Sequence, residues 1–208
     1  APRLVVNVTI DQLRTDYMEA FYPLYGQGGF RRLMQQGLVY EGGRYPFTPV
    51  DRSSATATLS SGATPYLHGI VGTQWLDRST LRPVNCVADE KYGNSPQRLL
   101  TSTLGDELKM SSNGTAIVYS FSQDKESAIL SAGHAADGAF WMGDNGTWTG
   151  TKYYSTSLPA WLKAYNTLHS QQGRTAALAN DNVVSVSLQA VALSLNMLNV
   201  TKIKVMNL

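Results

Sequence analysis

The sequence predicts an α/β protein with a mainly parallel central sheet flanked by helices. Two observations carry that expectation. Short β-branched runs, Leu4-Val-Val-Asn-Val-Thr-Ile10 and Thr115-Ala-Ile-Val-Tyr-Ser120, alternate with stretches of helical periodicity. With 43% apolar and 15% charged residues over 208 positions, the chain can also bury one sizeable core. Composition excludes several partners. A net charge of +2 with no Lys/Arg block removes the electrostatic case for nucleic acid. No apolar run reaches the roughly 18 residues that a membrane-spanning helix requires. Cys86 is the only cysteine, so neither an internal disulfide nor a cysteine metal cluster can form.

Arg3 to Ile10 reads as a buried strand, because most of its residues are apolar and β-branched. It ends at Asp11, which is either an N-cap for a Gln12–Ala20 helix or a ligand at a strand end. Phe30 to Gln36 is helical and stops at Gly37, and Leu38-Val-Tyr40 is a short strand. Asp51-Arg-Ser-Ser-Ala55 then opens a helix of small residues from about Ser54 to Ser61, capped by Asp51 or Ser53 and ended by Gly62. Its first backbone N–H groups predict an anion site beside Arg52, Ser53 and Ser54. Residues 76–96 read as a long surface excursion.

Ser95-Pro96 predicts a helix start, with apolar Leu99, Leu100, Leu104 and Leu108 carrying it to Met110. The strand at 115–120 then completes a β-α-β crossover. Asp124 to Ser131 is a short helix, and Ala139–Met142 with Thr149–Tyr154 form a hairpin around Asn145-Gly146. Leu158–Ser170 and Asp181–Leu198 are two further helices, the second with Val184, Leu188, Val191 and Leu195 in one stripe. Lys202 to Leu208 starts a strand, and a chain that stops there is expected to be cut short.

Three segments, in order along the chain, resemble the alkaline phosphatase superfamily, especially its phosphate-irrepressible phosphatases and nucleotide pyrophosphatase/phosphodiesterases. Val5 to Tyr17 is similar to the first strand, which ends in a metal-binding Asp. Ser61-Gly-Ala-Thr-Pro-Tyr-Leu-His-Gly-Ile-Val-Gly-Thr-Gln-Trp75 resembles the signature TGxxPxxHGIxGNxW. Ser122 to Trp141 is close to SxKxRxAILxxGHxADxAxW. The resemblance implies a sheet flanked by helices, two zinc ions held by Asp and His, and a Thr or Ser nucleophile at a helix N-terminus. It further implies export to the periplasm and residues 1–208 as the N-terminal portion of one domain. The rest of the fold would come from polypeptide after Leu208.

Carried over residue by residue, the resemblance gives Asp11 as metal ligand and places Arg52 at the nucleophile position. Thr73 falls where an asparagine contacts the phosphoryl group, and Asp124 and Glu126 fall where Lys and Arg clamp it. A guanidinium is always protonated and cannot attack phosphorus. Two carboxylates in place of two cations turn attraction for a phosphate dianion into repulsion. Three readings follow: catalysis is lost, Ser53 serves as nucleophile in a zinc-dependent, diester-preferring hydrolase, or the register slips locally. A non-catalytic anion-binding or scaffold role is the counterpart of the first. The ligand class is a phosphoester or another small anion. The zinc site is expected to be incomplete, because the remaining ligands of the family lie beyond Leu208.

Overall fold

The computed structural model describes residues 4–40, 42–169 and 186–192. Strand β1 (Leu4–Ile10) is followed by helix α1 (Thr15–Ala20), a 3-10 turn (Tyr22–Leu24) and helix α2 (Gly29–Gln36). The organising helix α3 (Arg52–Ser61) leads through α4 (Pro65–His68) into two small hairpins. These are β2 (Gln74–Asp77) with β3 (Arg82–Asn85), and β4 (Ala88–Asp89) with β5 (Gly93–Asn94). Helix α5 (Leu104–Ser111), strand β6 (Ile117–Ser122), helix α6 (Lys125–Ala132) and strands β7 (Gly138–Met142) and β8 (Trp148–Gly150) follow. Helix α7 (Ala160–His169) and strand β9 (Val186–Ala192) complete the description.

The main sheet has the order β1-β9-β6-β7-β8. β6 and β7 are hydrogen-bonded in parallel, joined by α6 as crossover, and β9 runs antiparallel to both β1 and β6. β1, β6 and β7 therefore share one direction, but β8 also runs antiparallel to β7, so β6–β7 is the one parallel pairing among the four of the described sheet. The strand–helix alternation is kept, while the pairing is less parallel than expected. On one face, α3 and α6 pack through small residues. Ala57 and Ala128 are fully buried, and Ser60 Oγ donates to the Leu130 carbonyl at 2.8 Å. Ala57, Ile70, Cys86, Val87, Leu99, Ile129 and Leu130 belong to the same core cluster. On the other face, Trp161 of α7 lies against Tyr119, Phe121 and Phe140, with ring centroids about 6 Å apart. β6 alternates accordingly, its Val118, Ser120 and Ser122 buried under the helices.

Several expectations change. β1 is a strand but not a buried one: Leu4, Val6 and Val8 lie on one face and are each about half exposed, while Val5 on the opposite face packs against Ala116 and Val118. Leu38–Tyr40 forms no strand, and Leu38 and Tyr40 are exposed. The stretch 76–96 is not merely superficial, because Cys86 and Val87 return from the hairpins to fill the core. The helix expected from Pro96 begins only at Leu104. Tertiary bonds claim the backbone before it: Leu100 N donates to the His68 carbonyl, and the Leu99 carbonyl bonds His134 Nε2. Thr103 and Asp106 then form the capping box that starts α5. Within Asp181–Leu198, residues 186–192 are strand β9 rather than helix. Val186-Ser-Leu-Gln-Ala-Val-Ala192 also alternates with period two, and a strand there satisfies the facing backbones of β1 and β6. The expected strand at 202–208 lies outside the described residues.

Candidate functional site

Helix α3 begins beside the C-terminal end of β1, where Arg52 meets Asp11, and its start determines what the site can do. Asp51 is the N-cap. Its Oδ1 accepts from Ser53 N at 2.8 Å and Ser54 N at 3.4 Å, while Ser54 Oγ receives the Asp51 N–H at 3.1 Å. This reciprocal box occupies the N–H groups that the sequence suggested for an external anion. The chain has supplied its own carboxylate. Gly62, at φ 71°, ends the helix in the left-handed conformation anticipated for it.

Ser53 is fully buried. Its Oγ lies 2.8 Å from Thr73 Oγ1, which donates to Asp51 Oδ2 at 3.1 Å. Thr73 has one proton and spends it on the carboxylate, so Ser53 is the donor to Thr73. Burial pushes the Cys86 thiol up to about 12, with Ser53 acting in the opposite direction. Both candidate hydroxyls thus belong to a closed interior chain ending on Asp51.

Arg52 points the other way, into an open cleft of about 290 Å³ lined by Asp11, Tyr45, Val50, Asp51, Thr56 and Leu59, among others. Its Nε donates to Asp11 Oδ2 at 2.7 Å, and Nη1 lies 3.9 Å from Asp124 Oδ2. The bond to Asp11 raises the Arg52 pKa most, against the opposing effect of burial, with the charges of Asp124, Asp11 and Asp51 adding to it. The Tyr45 phenol is pushed up by burial and then by the negative charge of Asp11. Asp11 does not cap α1, whose N-cap is Arg14 without a side-chain bond. Gln12 follows at φ 62°, a strained conformation for a residue with a side chain.

Asp124 and Glu126, which the resemblance sets where a cationic clamp is expected, have local structural tasks. Asp124 caps α6 through Ser127 N at 2.7 Å, and Glu126 accepts from Asn85 Nδ2 at 2.7 Å. The structure therefore brings Asp11, Arg52 and Asp124 together, and separately Ser53, Thr73 and Asp51. Tyr45, Asn85 and Cys86 are also neighbours of the site, and no local pattern in the sequence marks them as such. Only Asp51 carried a readable signal, its spacing to Ser54.

Residues 5–202 match the family described as type I phosphodiesterase/nucleotide pyrophosphatase. The chain belongs to that family. Among curated relatives of this phosphodiesterase-family chain is the alkaline phosphatase PhoV of Synechococcus elongatus. It is 37% identical over 176 residues, covering 79% of this chain and 32% of the relative. The alkaline phosphatase PafA of Elizabethkingia meningoseptica is 32% identical over 177 residues, with the same coverage of each chain. The crystal structure of wild-type PafA superposes with a TM-score of 0.75 at 30% identity, covering 81% of this chain and 34% of that one. The fold is thus that of the alkaline phosphatases, and the chain spans about a third of the length of these relatives.

Proposed function

We propose that this chain is part of an alkaline phosphatase-like protein whose phosphoester hydrolysis is impaired at the nucleophile position. One observation carries the reading: the Arg52 guanidinium is bonded to Asp11 at 2.7 Å. In the family mechanism that position needs a nucleophile that loses a proton and a neighbouring cation that stabilises the oxyanion. Arg52 supplies a proton donor that is never deprotonated, and it neutralises the acid beside it. Asp51 fills the helix N-terminus, and Asp124 and Glu126 add negative charge nearby. A phosphate dianion meets repulsion at each of these points. The ligand the cleft would still accept is a small phosphoester or another anion bearing a single charge. By resemblance to its relatives we also place the protein outside the cytoplasm, in the periplasm. No described helix is long and apolar enough to cross a membrane.

The test is hydrolysis of an aryl phosphate monoester and an aryl phosphate diester by the complete polypeptide, with and without added zinc. The expected result is no turnover above the uncatalysed rate with either substrate. Zinc-dependent turnover that prefers the diester and disappears in Ser53→Ala would instead establish Ser53 as nucleophile.

A further inference from the structure

We propose that Arg52 is the resident cation of the Asp11 carboxylate, standing where the family resemblance implies a zinc ion, and that this end of the cleft excludes divalent metal. The inference rests on the impaired-site reading above and says what replaced the metal. Zinc is held by three or four converging nitrogen, oxygen or sulfur donors. Among the described residues, no three His, Cys, Asp or Glu side chains are grouped in a way that could hold a metal ion.

The donors present are committed elsewhere. His68 is fully buried and uses both ring nitrogens, Nε2 with Thr58 Oγ1 at 3.0 Å and Nδ1 with Ile70 N at 3.1 Å. His134 bonds Asp106 and the Leu99 carbonyl. The Cys86 thiol is fully buried in the core cluster. Asp51 spends Oδ1 on two helix N–H groups, and Asp124 spends Oδ1 on Ser127 N. Asp11 faces the guanidinium, with Asp124 on its other side. A dication brought to Asp11 would have to displace a tethered charge of its own sign, or bind beside it. The residues present do not fit zinc here.

A covalently held cation also makes the charge balance of the site independent of metal supply. Denaturant unfolding of the chain in excess EDTA, excess zinc chloride and excess magnesium chloride tests this directly. For the wild type, the folded-to-unfolded ratio should change by less than about twofold among the three conditions. Arg52→Met removes the cation of Asp11 and should lower the ratio by about threefold, and neither divalent ion should restore it, because among the described residues no further donors converge there. Adding Asp11→Asn to Arg52→Met should recover part of that loss, because it removes the uncompensated carboxylate. A wild type stabilised by zinc in a manner lost on Asp11→Asn overturns the proposal, and so does an Arg52→Met variant that is as stable as the wild type or that zinc restores. Should Arg52→Met fail to fold, zinc uptake by the wild type and by Asp11→Asn, measured by equilibrium dialysis, decides the question. Uptake that falls with Asp11→Asn refutes the exclusion, and uptake that is absent or unchanged supports it. The two readings fail separately. A protein that hydrolyses esters yet takes up no zinc through Asp11 loses only the impaired-enzyme reading. An inactive protein with Asp11-dependent zinc loses only this one.

Discussion

Replacing Asp106 by alanine should remove a large share of the stability of this chain. The residue is 5% exposed, and its carboxylate is the meeting point of two elements. Oδ2 accepts from Thr103 N at 2.8 Å and Thr103 Oγ1 at 3.0 Å, while Oδ1 accepts from His134 N at 2.8 Å and Ala135 N at 2.7 Å. The first pair starts α5, and the second anchors the loop that follows α6. Asp106→Ala leaves the buried Thr103 N–H and the partly buried His134 N–H without an acceptor, each costing about 1–3 kcal/mol, while the exposed Ala135 N–H can turn to water. The Thr103 bond is also the half of the capping box that is lost. Taking the middle of the range for the two groups gives a loss of about 4 kcal/mol, against a typical total of about 5–15 kcal/mol for a domain. Asp106→Asn keeps one acceptor oxygen and should lose about half as much. Urea unfolding followed by tryptophan fluorescence and far-UV circular dichroism measures both variants. A loss below about 1 kcal/mol in Asp106→Ala would mean that water reaches these N–H groups, and it would refute the account.

Three further outcomes are expected. His134 donates from both ring nitrogens, to Asp106 and to the Leu99 carbonyl, and its pKa is raised first by the Asp106 bond. A folded pKa above the unfolded value of about 6.5 means that its contribution is complete below about pH 6.5 and is lost as pH rises through the folded value. The stability difference between wild type and His134→Asn should therefore shrink from pH 5.5 to pH 8.5, about a unit or two on either side of the unfolded pKa. A pH-independent difference contradicts this. His68 acts with the opposite sign, because burial lowers its pKa, but it is present in both proteins and cancels. Cys86 is fully buried with its thiol pushed up to about 12, so a disulfide reagent at neutral pH should label it only through unfolding. Labelling of the native chain that does not accelerate with urea would disprove that. Asp51→Ala removes the cap of α3 and the acceptor for Thr73 and should cost about 2 kcal/mol in urea unfolding, with Asp51→Asn recovering part of it. A loss under about 0.5 kcal/mol would show that the α3 cap is dispensable.

Much of the fold was legible because its signals are local. The Asp51 cap, the Gly62 stop and the Asn145-Gly146 turn act within a few residues, and each element they bound appeared. The failures share a cause. At 96–103 the backbone is spoken for by His68 and His134, partners distant in sequence, and a local helix signal cannot compete with them. At 186–192 both periodicities fit the same letters, and the neighbouring strands choose between them.

The site divides along the same line. By itself the sequence determined the family, and the resemblance implied Arg52 where a nucleophile is expected and Asp124 and Glu126 where two cations are. Those are properties of residue type at fixed spacing along the chain. Only the tertiary structure decided what these side chains do. Ser53 and Arg52 are adjacent, yet successive residues of a helix point about 100° apart, so the hydroxyl is buried on Thr73 while the guanidinium reaches Asp11. That pairing joins the end of β1 to the start of α3 across forty-one residues, a distance at which no local pattern reports the contact.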